Sequence, residues 1–299
     1  MLLLLCTLAG LAGCGMPGGE GAARYVVGAP YQVGGLWRYP AEAFSLNETG
    51  IAAVAGRSGA TTNGESFDAA NMAASHRTLQ LPAIARLTNL ENGRQVVVRI
   101  NDRGPADPAR LVSVTRRVAE VLGAANPQAF RVRVQVLEAE SRQLAAELQG
   151  RATGPAQAAP PPQVSAAPRG GVQAESLAPP AGAAAGRQRV AAAPATVSQA
   201  AAAAPATAIP LRLPEQVSQG SARPGQLAIE CGAFGSTQAA GMMQSRLAGF
   251  GARMQADYDA PRDRSVVVRI GPMATLPQAE GTLRRVLPAG CLDGRIIVE

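Results

Sequence analysis

Three carboxylic acids and one histidine in the first half of the chain have the side chains that acid–base chemistry uses. Glu65 and Asp68 are three residues apart, His76 is the only histidine, and Asp102 follows a strongly apolar stretch. A carboxylic acid donates a proton to a leaving oxygen and, once ionised, accepts a proton or stabilises a nearby positive charge. Cleavage of a glycosidic bond needs both steps, so this set is compatible with chemistry on a glycan.

Each of these side chains also has an ordinary structural role open to it. Asp68 can cap a turn, and Asp102 can form an ion pair or an Asx-turn. A single histidine is often a hydrogen-bonded polar group, so spacing alone leaves both interpretations open. The sequence contains no phosphate-binding glycine loop, zinc-ligand spacing or Ser/His/Asp set, and it therefore predicts no cofactor and no metal.

The elements that must position these residues are mostly short strands, in a domain predicted over residues 48–138. Asn92-Gly93 predicts a type I′ hairpin turn, in which both central residues need φ > 0. The segment Arg116 to Leu122 predicts a short helix ended by Gly123. Two strands are predicted from apolar residues at alternate positions, first Val96, Val98 and Ile100, then Val132, Val134 and Val136.

The start of the chain predicts export to the cell envelope. Residues 1–13 are apolar but shorter than the roughly 20 residues that span a bilayer, which is typical of a signal peptide. The tetrad Leu11-Ala12-Gly13-Cys14 resembles a bacterial lipobox, which implies cleavage before Cys14 and lipid on its thiol. Gly15 then implies transport to the outer membrane, on its periplasmic side; the alternative is a chance cysteine after an apolar run.

The formal net charge of +7 arises from arginine, because the chain contains no lysine. A basic excess indicates nucleic acid, a membrane surface or an anionic polymer as partner. An exported protein has little access to nucleic acid, so we expect the membrane, through the lipid anchor, and anionic cell-wall glycan instead. Residues 14–47 are predicted to be a tether with an aromatic arm around Trp37 and Tyr39.

The second half of the chain divides into a linker and a repeat. Residues 139–224 are rich in Ala and Pro and are predicted to be a disordered linker, with a weakly helical start. Residues 225–299 contain a repeat at an offset of 39, in which Ser236 and Thr275 are the predicted helix N-caps. The order β-α-β-β-α-β predicts a ferredoxin-like α+β domain.

Four segments of the first domain resemble the rare lipoprotein A family. They are residues 62–68, 74–79, 87–94 and 97–105, the last reading Val-Val-Arg-Ile-Asn-Asp-Arg-Gly-Pro. This resemblance implies a double-psi β-barrel and lytic transglycosylase activity, in which the 6-hydroxyl of the muramyl sugar attacks the anomeric carbon. It also implies essential carboxylates at Glu65 and Asp102 with support from His76, a septal location and division proteins as partners. Asp68 is a further candidate for a supporting role.

The C-terminal repeat resembles the sporulation-related repeat domain, which binds peptidoglycan strands stripped of their stem peptides. The match lies in residues 228–234 and in Val267-Val268-Arg269-Ile270-Gly271-Pro272. The resemblance implies that the sheet face holds the glycan, with Arg269 as the candidate ligand. An even pair of cysteines in an oxidising compartment favours a disulfide, and some members of that family bridge the positions of Cys231 and Cys291.

Two departures from the first family keep a second hypothesis open. Ala53-Val54-Ala55 stands where the family has Ser-Trp-Tyr, and Ser113 stands where it has an aspartate. Sugar rings stack on aromatic faces, so the first change removes a stacking surface. The alternative to a lytic transglycosylase is therefore a wall-binding scaffold lipoprotein whose barrel has lost its activity.

Overall fold

A computed structural model describes residues 23–56, 59–152, 209–257 and 265–299. The predicted signal peptide with Cys14, and the central part of the predicted linker, lie outside the described residues. None of the described helices is long and apolar enough to cross a membrane.

The first domain is a closed β-barrel of six strands, as the sequence predicts. The barrel order is β4-β7-β3-β8-β5-β6, and β6 pairs again with β4. The alternating valines of the strands Arg94–Asp102 and Phe130–Val136 point into the core. Val98, Val132 and Val134 have no exposed surface. The barrel strands are β3 (Asn47–Val54), β4 (Ala73–His76), β5 (Ala83–Asn89), β6 (Arg94–Asp102), β7 (Val112–Val114) and β8 (Phe130–Val136), preceded by the hairpin β1 (Tyr31–Val33) and β2 (Leu36–Arg38).

The turn between β5 and β6 differs from the type I′ turn that the sequence predicts. Gly93 has φ of 80°, but no described residue other than glycine has a positive φ. The N–H of Gly93 donates to the carbonyl of Asn89, so the loop is longer than two residues and needs only one left-handed position. The Asn92 side chain instead accepts from Arg94 N and donates to the carbonyl of Leu122, at the end of helix α1 (Arg116–Val121).

Both edges of the predicted linker are structured, which corrects its boundaries of 139 and 224. Helix α2 (Glu138–Ala152) packs Leu144 and Leu148 against Ile84 of the barrel. Strand β9 (Val217–Gln219) pairs antiparallel with β6. Each segment gains its stability from the barrel surface, which its own composition does not reveal.

The C-terminal domain is a four-stranded antiparallel sheet with two helices, in the predicted ferredoxin-like order. The sheet order is β11-β12-β10-β13. Ser236 and Thr275 cap the two helices, each accepting a hydrogen bond from a backbone N–H three residues later. The elements are β10 (Leu227–Phe234), α3 (Thr237–Arg246), β11 (Arg253–Ala256), β12 (Val266–Met273), α4 (Leu276–Val286) and β13 (Arg295–Val298).

A disulfide joins Cys231 at the core side of β10 to Cys291, which precedes β13. The two Cα atoms are 5.0 Å apart and the bridge closes a segment of 60 residues. Both cysteines are buried in the apolar core of the C-terminal domain.

Strand β13 lies against the start of barrel strand β3, and this contact places the two domains together. Thr49 Oγ1 donates to the carbonyl of Val298 at 2.7 Å, and Val298 N donates to the same hydroxyl at 3.0 Å. A Cβ on Gly50 would lie 2.7 Å from the Leu111 side chain and 3.2 Å from the carbonyl oxygen of Ile296. Glycine at position 50 therefore permits the close approach.

Candidate active site

A groove of about 560 Å³ opens between the ends of barrel strands β3, β4, β6 and β7. Three carboxylates line it: Asp68 from the loop before β4, Asp102 from the end of β6, and the exposed Asp107 from the loop between β6 and β7. Apolar and small side chains form much of the remaining wall, so a bound ligand would lose much of its contact with water. That wall includes Ala53, Val54, Ala55 and Ser113.

Asp102 is fixed in the groove by the loop that precedes Glu65. Its Oδ1 accepts hydrogen bonds from Thr62 N at 2.8 Å and from Thr62 Oγ1 at 2.6 Å. Only 4% of the residue is exposed. Strand β6 ends here, where its parallel pairing with β4 shifts in register between Ala74 and Ser75. The carboxyl group is thus held in one orientation at the groove wall.

Asp68 is more open and also has the structural role that the sequence leaves available. Its Oδ1 accepts a hydrogen bond from Ala70 N at 2.8 Å, which is an Asx-turn. Its Oδ2 lies 3.4 Å from Arg212, and 36% of its side chain is exposed. A turn-capping carboxylate can still face a ligand, and Asp68 lines the groove with its neighbour Phe67.

Glu65 does not line the groove, because its carboxylate is held within the barrel. Arg99 donates to it from Nε at 2.9 Å and from Nη2 at 2.7 Å. Asn101 Nδ2 and Asn63 Nδ2 donate to it as well, at 2.8 and 2.7 Å. Because Asn101 precedes Asp102, the carboxylate ties the loop that carries it to the end of β6. The structure therefore places Glu65 behind the groove wall.

His76 lies on the opposite side of β4 from the groove. Ala73, Ala74 and Ser75 of β4 line the groove, and His76, which ends the strand, does not. The nearest carboxylate to its ring is Glu48, with 3.8 Å between Nε2 and Oε2. Burial lowers the pKa of His76 below its ordinary value, and Glu48 offsets this only in part. The contacts of the ring are thus with Thr78, Leu79 and Glu48, and a supporting role for His76 in catalysis stays a prediction.

Two residues that organise the groove from behind, Arg99 and Asn101, are not among those that the sequence singles out. Arg99 is 2% exposed within the apolar strand β6, and Asn101 is 7% exposed. The signal was present, because a charged side chain inside an otherwise apolar strand is almost never buried without a partner. Its partner, Glu65, lies 34 residues earlier in the chain.

Arg269, the candidate glycan ligand, lies on the face of the C-terminal sheet that the helices leave uncovered. Its guanidinium donates to Glu230 at 3.1 Å and to Glu299 at 3.2 Å. Its side chain is 22% exposed. It lines a polar cleft of about 970 Å³ together with Arg133, Glu48 and Thr49 of the barrel. The sheet face therefore meets the barrel at this cleft.

Comparisons with known proteins agree with this architecture. Residues 47–136 match a family model described as lytic transglycolase. A protein from Pseudomonas aeruginosa named endolytic peptidoglycan transglycosylase RlpA is 31% identical over 259 residues, covering 85% of this chain and 71% of the relative. A protein of the same name from Rickettsia bellii is 35% identical over 123 residues, covering 39% of this chain and 54% of the relative. Another from Escherichia coli is 42% identical over 90 residues, covering 29% of this chain and 25% of the relative.

Proposed function

We propose, from the premise that the chain belongs to the RlpA family of endolytic peptidoglycan transglycosylases, that it is a lytic transglycosylase acting on peptidoglycan in the barrel groove. The observation that carries this assignment is the groove itself. It lies within the matched residues 47–136, and its three carboxylates include Asp102, which is buried, and Asp68, which is more open.

The reaction needs a group that protonates the leaving glycosidic oxygen and then accepts the proton of the attacking 6-hydroxyl. We assign this group to Asp102, whose carboxyl is oriented by Thr62 and buried at the groove wall. Asp68 lies in the same groove, where its negative charge would stabilise the oxocarbenium-like transition state. The product of such an attack is a 1,6-anhydro-muramyl end.

Glu65 and His76 act on the groove indirectly in this proposal. Glu65 is a positioning residue, because its carboxylate holds Arg99 and Asn101 beside Asp102. That Glu65 is itself a catalytic acid stays a prediction. His76 stabilises the other side of β4, where its Nδ1 accepts from the backbone N–H groups of Thr78 and Leu79.

The test is to incubate the purified full-length protein with sacculi whose stem peptides an amidase has removed, and to search the soluble products for anhydro-muramyl ends by mass spectrometry. We expect such ends, and Asp102→Asn should abolish them. A protein that binds the sacculi without releasing anhydro products would support the alternative, a scaffold with a degenerate barrel, which Ser113 and Ala53-Val54-Ala55 in the groove wall favour.

We also propose that the C-terminal domain is a sporulation-related repeat domain that binds glycan strands lacking stem peptides. Support comes from its ferredoxin-like order and from Arg269 on the uncovered sheet face. Arg269→Ala should weaken binding to stripped sacculi in a pull-down assay without changing cleavage of short soluble strands. Equal binding by the variant would remove Arg269 from the proposed site.

A lipid anchor on Cys14 and residence at the outer membrane complete the proposal. The lipobox-like tetrad supports the anchor, and Gly15 supports transport to the outer membrane. Cys14→Ser should move the protein from the membrane fraction to the soluble periplasm, and unchanged fractionation would contradict the anchor. A location at the division septum, with division proteins as partners, is an extension that fluorescence microscopy of a tagged protein tests.

A further inference from the structure

A second cavity, of about 380 Å³, lies outside the groove, where the N-terminal arm, the end of β4 and the C-terminal domain meet. Its size is within the range of small-ligand sites. Two neighbouring side chains of the barrel, His76 and Arg77, line it, and Tyr39 of the arm is part of its wall. The proposed lytic reaction uses none of these three as a reacting group.

Arg77 is a buried cation that forms no close ion pair with a described carboxylate. The residue is 8% exposed, and its Nη1 is buried and makes no hydrogen bond. Within the described residues, no carboxylate oxygen lies within 4.0 Å of the guanidinium. Burial and then the charge of Arg38 lower the pKa of Arg77 to about 10, although Asp293 and Glu48 oppose this from a longer distance, and the group is still cationic at neutral pH. A buried charge without a partner is costly, and an anion in the cavity would offset that cost.

His76 presents a second donor to the same cavity. Its Nδ1 accepts from Leu79 N at 3.2 Å and from Thr78 N at 3.3 Å, so in the neutral ring the proton is on Nε2. Nε2 is buried and makes no hydrogen bond. The 3.8 Å from Nε2 to Glu48 is too long for one. The cavity thus holds the Nε2–H of His76, which has only the long contact with Glu48, beside the Nη1 group of Arg77, which makes no hydrogen bond.

The other charged groups of the cavity are already engaged. Arg38 Nη1 lies 3.0 Å from Asp293, and Arg295 is in ion pairs with Glu48 and Glu230. Glu42, which is exposed, accepts a hydrogen bond from Tyr25 at 2.6 Å. The acidic groups therefore have partners other than Arg77, which leaves its guanidinium for a ligand.

We propose that this cavity binds the free carboxylate of an acidic sugar, with Arg77 and His76 as the donors. A guanidinium offers parallel N–H groups that match the two oxygens of a carboxylate. Tyr39 is 67% exposed and supplies an aromatic face against which the sugar ring can stack. The cavity is thus an accessory glycan subsite that shares no lining residue with the groove.

The inference rests on the proposed function for its choice of sugar. When an amidase removes the stem peptide, the lactyl group of each muramyl sugar ends in a free carboxylate, whereas in a peptide-bearing strand that carbon is an amide. A carboxylate subsite therefore distinguishes stripped strands from strands that still carry peptides.

The experiment measures binding by calorimetry to a tetrasaccharide of alternating glucosaminyl and muramyl sugars. One form has free lactyl carboxylates, a second has them converted to methyl amides, and a third carries stem peptides. All proteins are full-length and contain Asp102→Asn, which is expected to prevent cleavage; analysis of the mixture for anhydro ends checks this. Cleavage by Asp102→Asn would contradict the proposed catalytic role without affecting the measured preference.

We expect the acid form to bind about tenfold or more tightly than the amide form, because a charge-assisted pair is lost in the amide. Arg77→Met should remove this difference. Arg131→Met, a half-buried arginine of β8 outside the cavity, is the matched control and should keep it. Equal binding of acid and amide by the parent protein, or an unchanged preference in Arg77→Met, would show that the cavity holds water only.

Two further measurements test whether the loss of the acid preference arises from misfolding and whether Tyr39 contacts the sugar. Arg77→Met should not lower the melting temperature, because methionine replaces an unpaired buried cation. Tyr39→Ala changes an exposed residue and should weaken the acid and amide forms alike. If the peptide-bearing form binds as tightly as the acid form and depends equally on Arg77, the carboxylate comes from the peptide, and the proposed sugar ligand is wrong.

Discussion

Glu65 and Arg99 form an ion pair inside the barrel wall, with 2.7 Å between Oε1 and Nη2. Arg99 is 2% exposed and Glu65 8%. Two charges so far from water are tolerated because Nε and Nη2 of Arg99 both donate to the Glu65 carboxylate, although Nη1 is buried without a hydrogen bond. The pair also fixes Asn101, which precedes Asp102, so the stability of the barrel and the geometry of the groove share one contact.

Replacing Glu65 by glutamine should therefore destabilise the protein, so a loss of activity in this variant alone would not show a catalytic role. Glu65→Gln leaves the Arg99 guanidinium buried without a counter-charge, which costs about 3 to 5 kcal/mol in the free energy of unfolding. Urea unfolding of the variant and its parent measures this difference. A loss below about 1 kcal/mol would mean that the ion pair contributes little.

The double variant Glu65→Gln/Arg99→Met separates the two roles of Glu65. It removes both charges and should recover most of the lost stability, because no buried charge remains unpaired. If the recovered protein cleaves stripped glycan, Glu65 is a positioning residue. If it folds and binds sacculi but does not cleave, the prediction of a catalytic Glu65 regains support.

The groove carboxylates should affect cleavage far more than stability. We expect Asp102→Asn to lower the rate of anhydro-product formation by about 10²- to 10⁴-fold, the usual contribution of general acid–base catalysis. Asp68→Asn should lower it by a smaller factor, because Asp68 is more exposed and also caps a turn. Glu91→Gln, at an exposed position in the β5–β6 loop, is the control for loss of one negative charge.

The contacts that are local in sequence were predictable, and those made by closure of the barrel were not. Ser236 and Thr275 cap helices only a few residues away, and valine alternation in β8 reports directly on which face is buried. The partners of Glu65 lie 34 and 36 residues along the chain, on a strand that reaches it only when the barrel closes.

For a related reason, the sequence could not predict on which side of the barrel His76 lies. Its face depends on the register of β4, a strand of four residues that pairs with both β6 and β7. A shift of one residue would exchange Ser75 and His76 between the groove and the opposite face. The motif names the residues in order, but only pairing with neighbouring strands assigns each to a face.

The ion pair of Glu48 with Arg295 should make the contact between the domains sensitive to acid. Burial alone would raise the pKa of Glu48, but Arg295 and His76 together hold it well below its ordinary value of 4.5. A carboxyl whose pKa is depressed on folding stabilises the folded state above that ordinary value, and the stabilisation is lost as the pH falls below it.

We expect Glu48→Gln to lower the free energy of unfolding by about 1 to 3 kcal/mol at pH 7, a range reduced because both side chains are partly exposed. The difference from the parent should shrink as the pH falls below 4.5, because Glu48 then takes up a proton in the unfolded parent while it is still ionised in the folded one. Urea unfolding at pH 7 and pH 3 measures both. A difference that is equal at the two pH values would show that the ion pair is not its cause.

The disulfide between Cys231 and Cys291 should stabilise the C-terminal domain and, through it, the contact with the barrel. Closing a segment of 60 residues stabilises the folded state by roughly 4 kcal/mol in the chain-entropy model. Cys291 lies two residues before Asp293, which pairs with Arg38, and shortly before Arg295. Protein that is unfolded, reduced and refolded with blocked thiols should therefore melt at a lower temperature than the oxidised protein and lose part of its pH sensitivity. The control is Cys231→Ala/Cys291→Ala, whose melting temperature should not change with reductant or oxidant. Two free thiols in the mature oxidised protein, counted by mass spectrometry, would contradict the bridge.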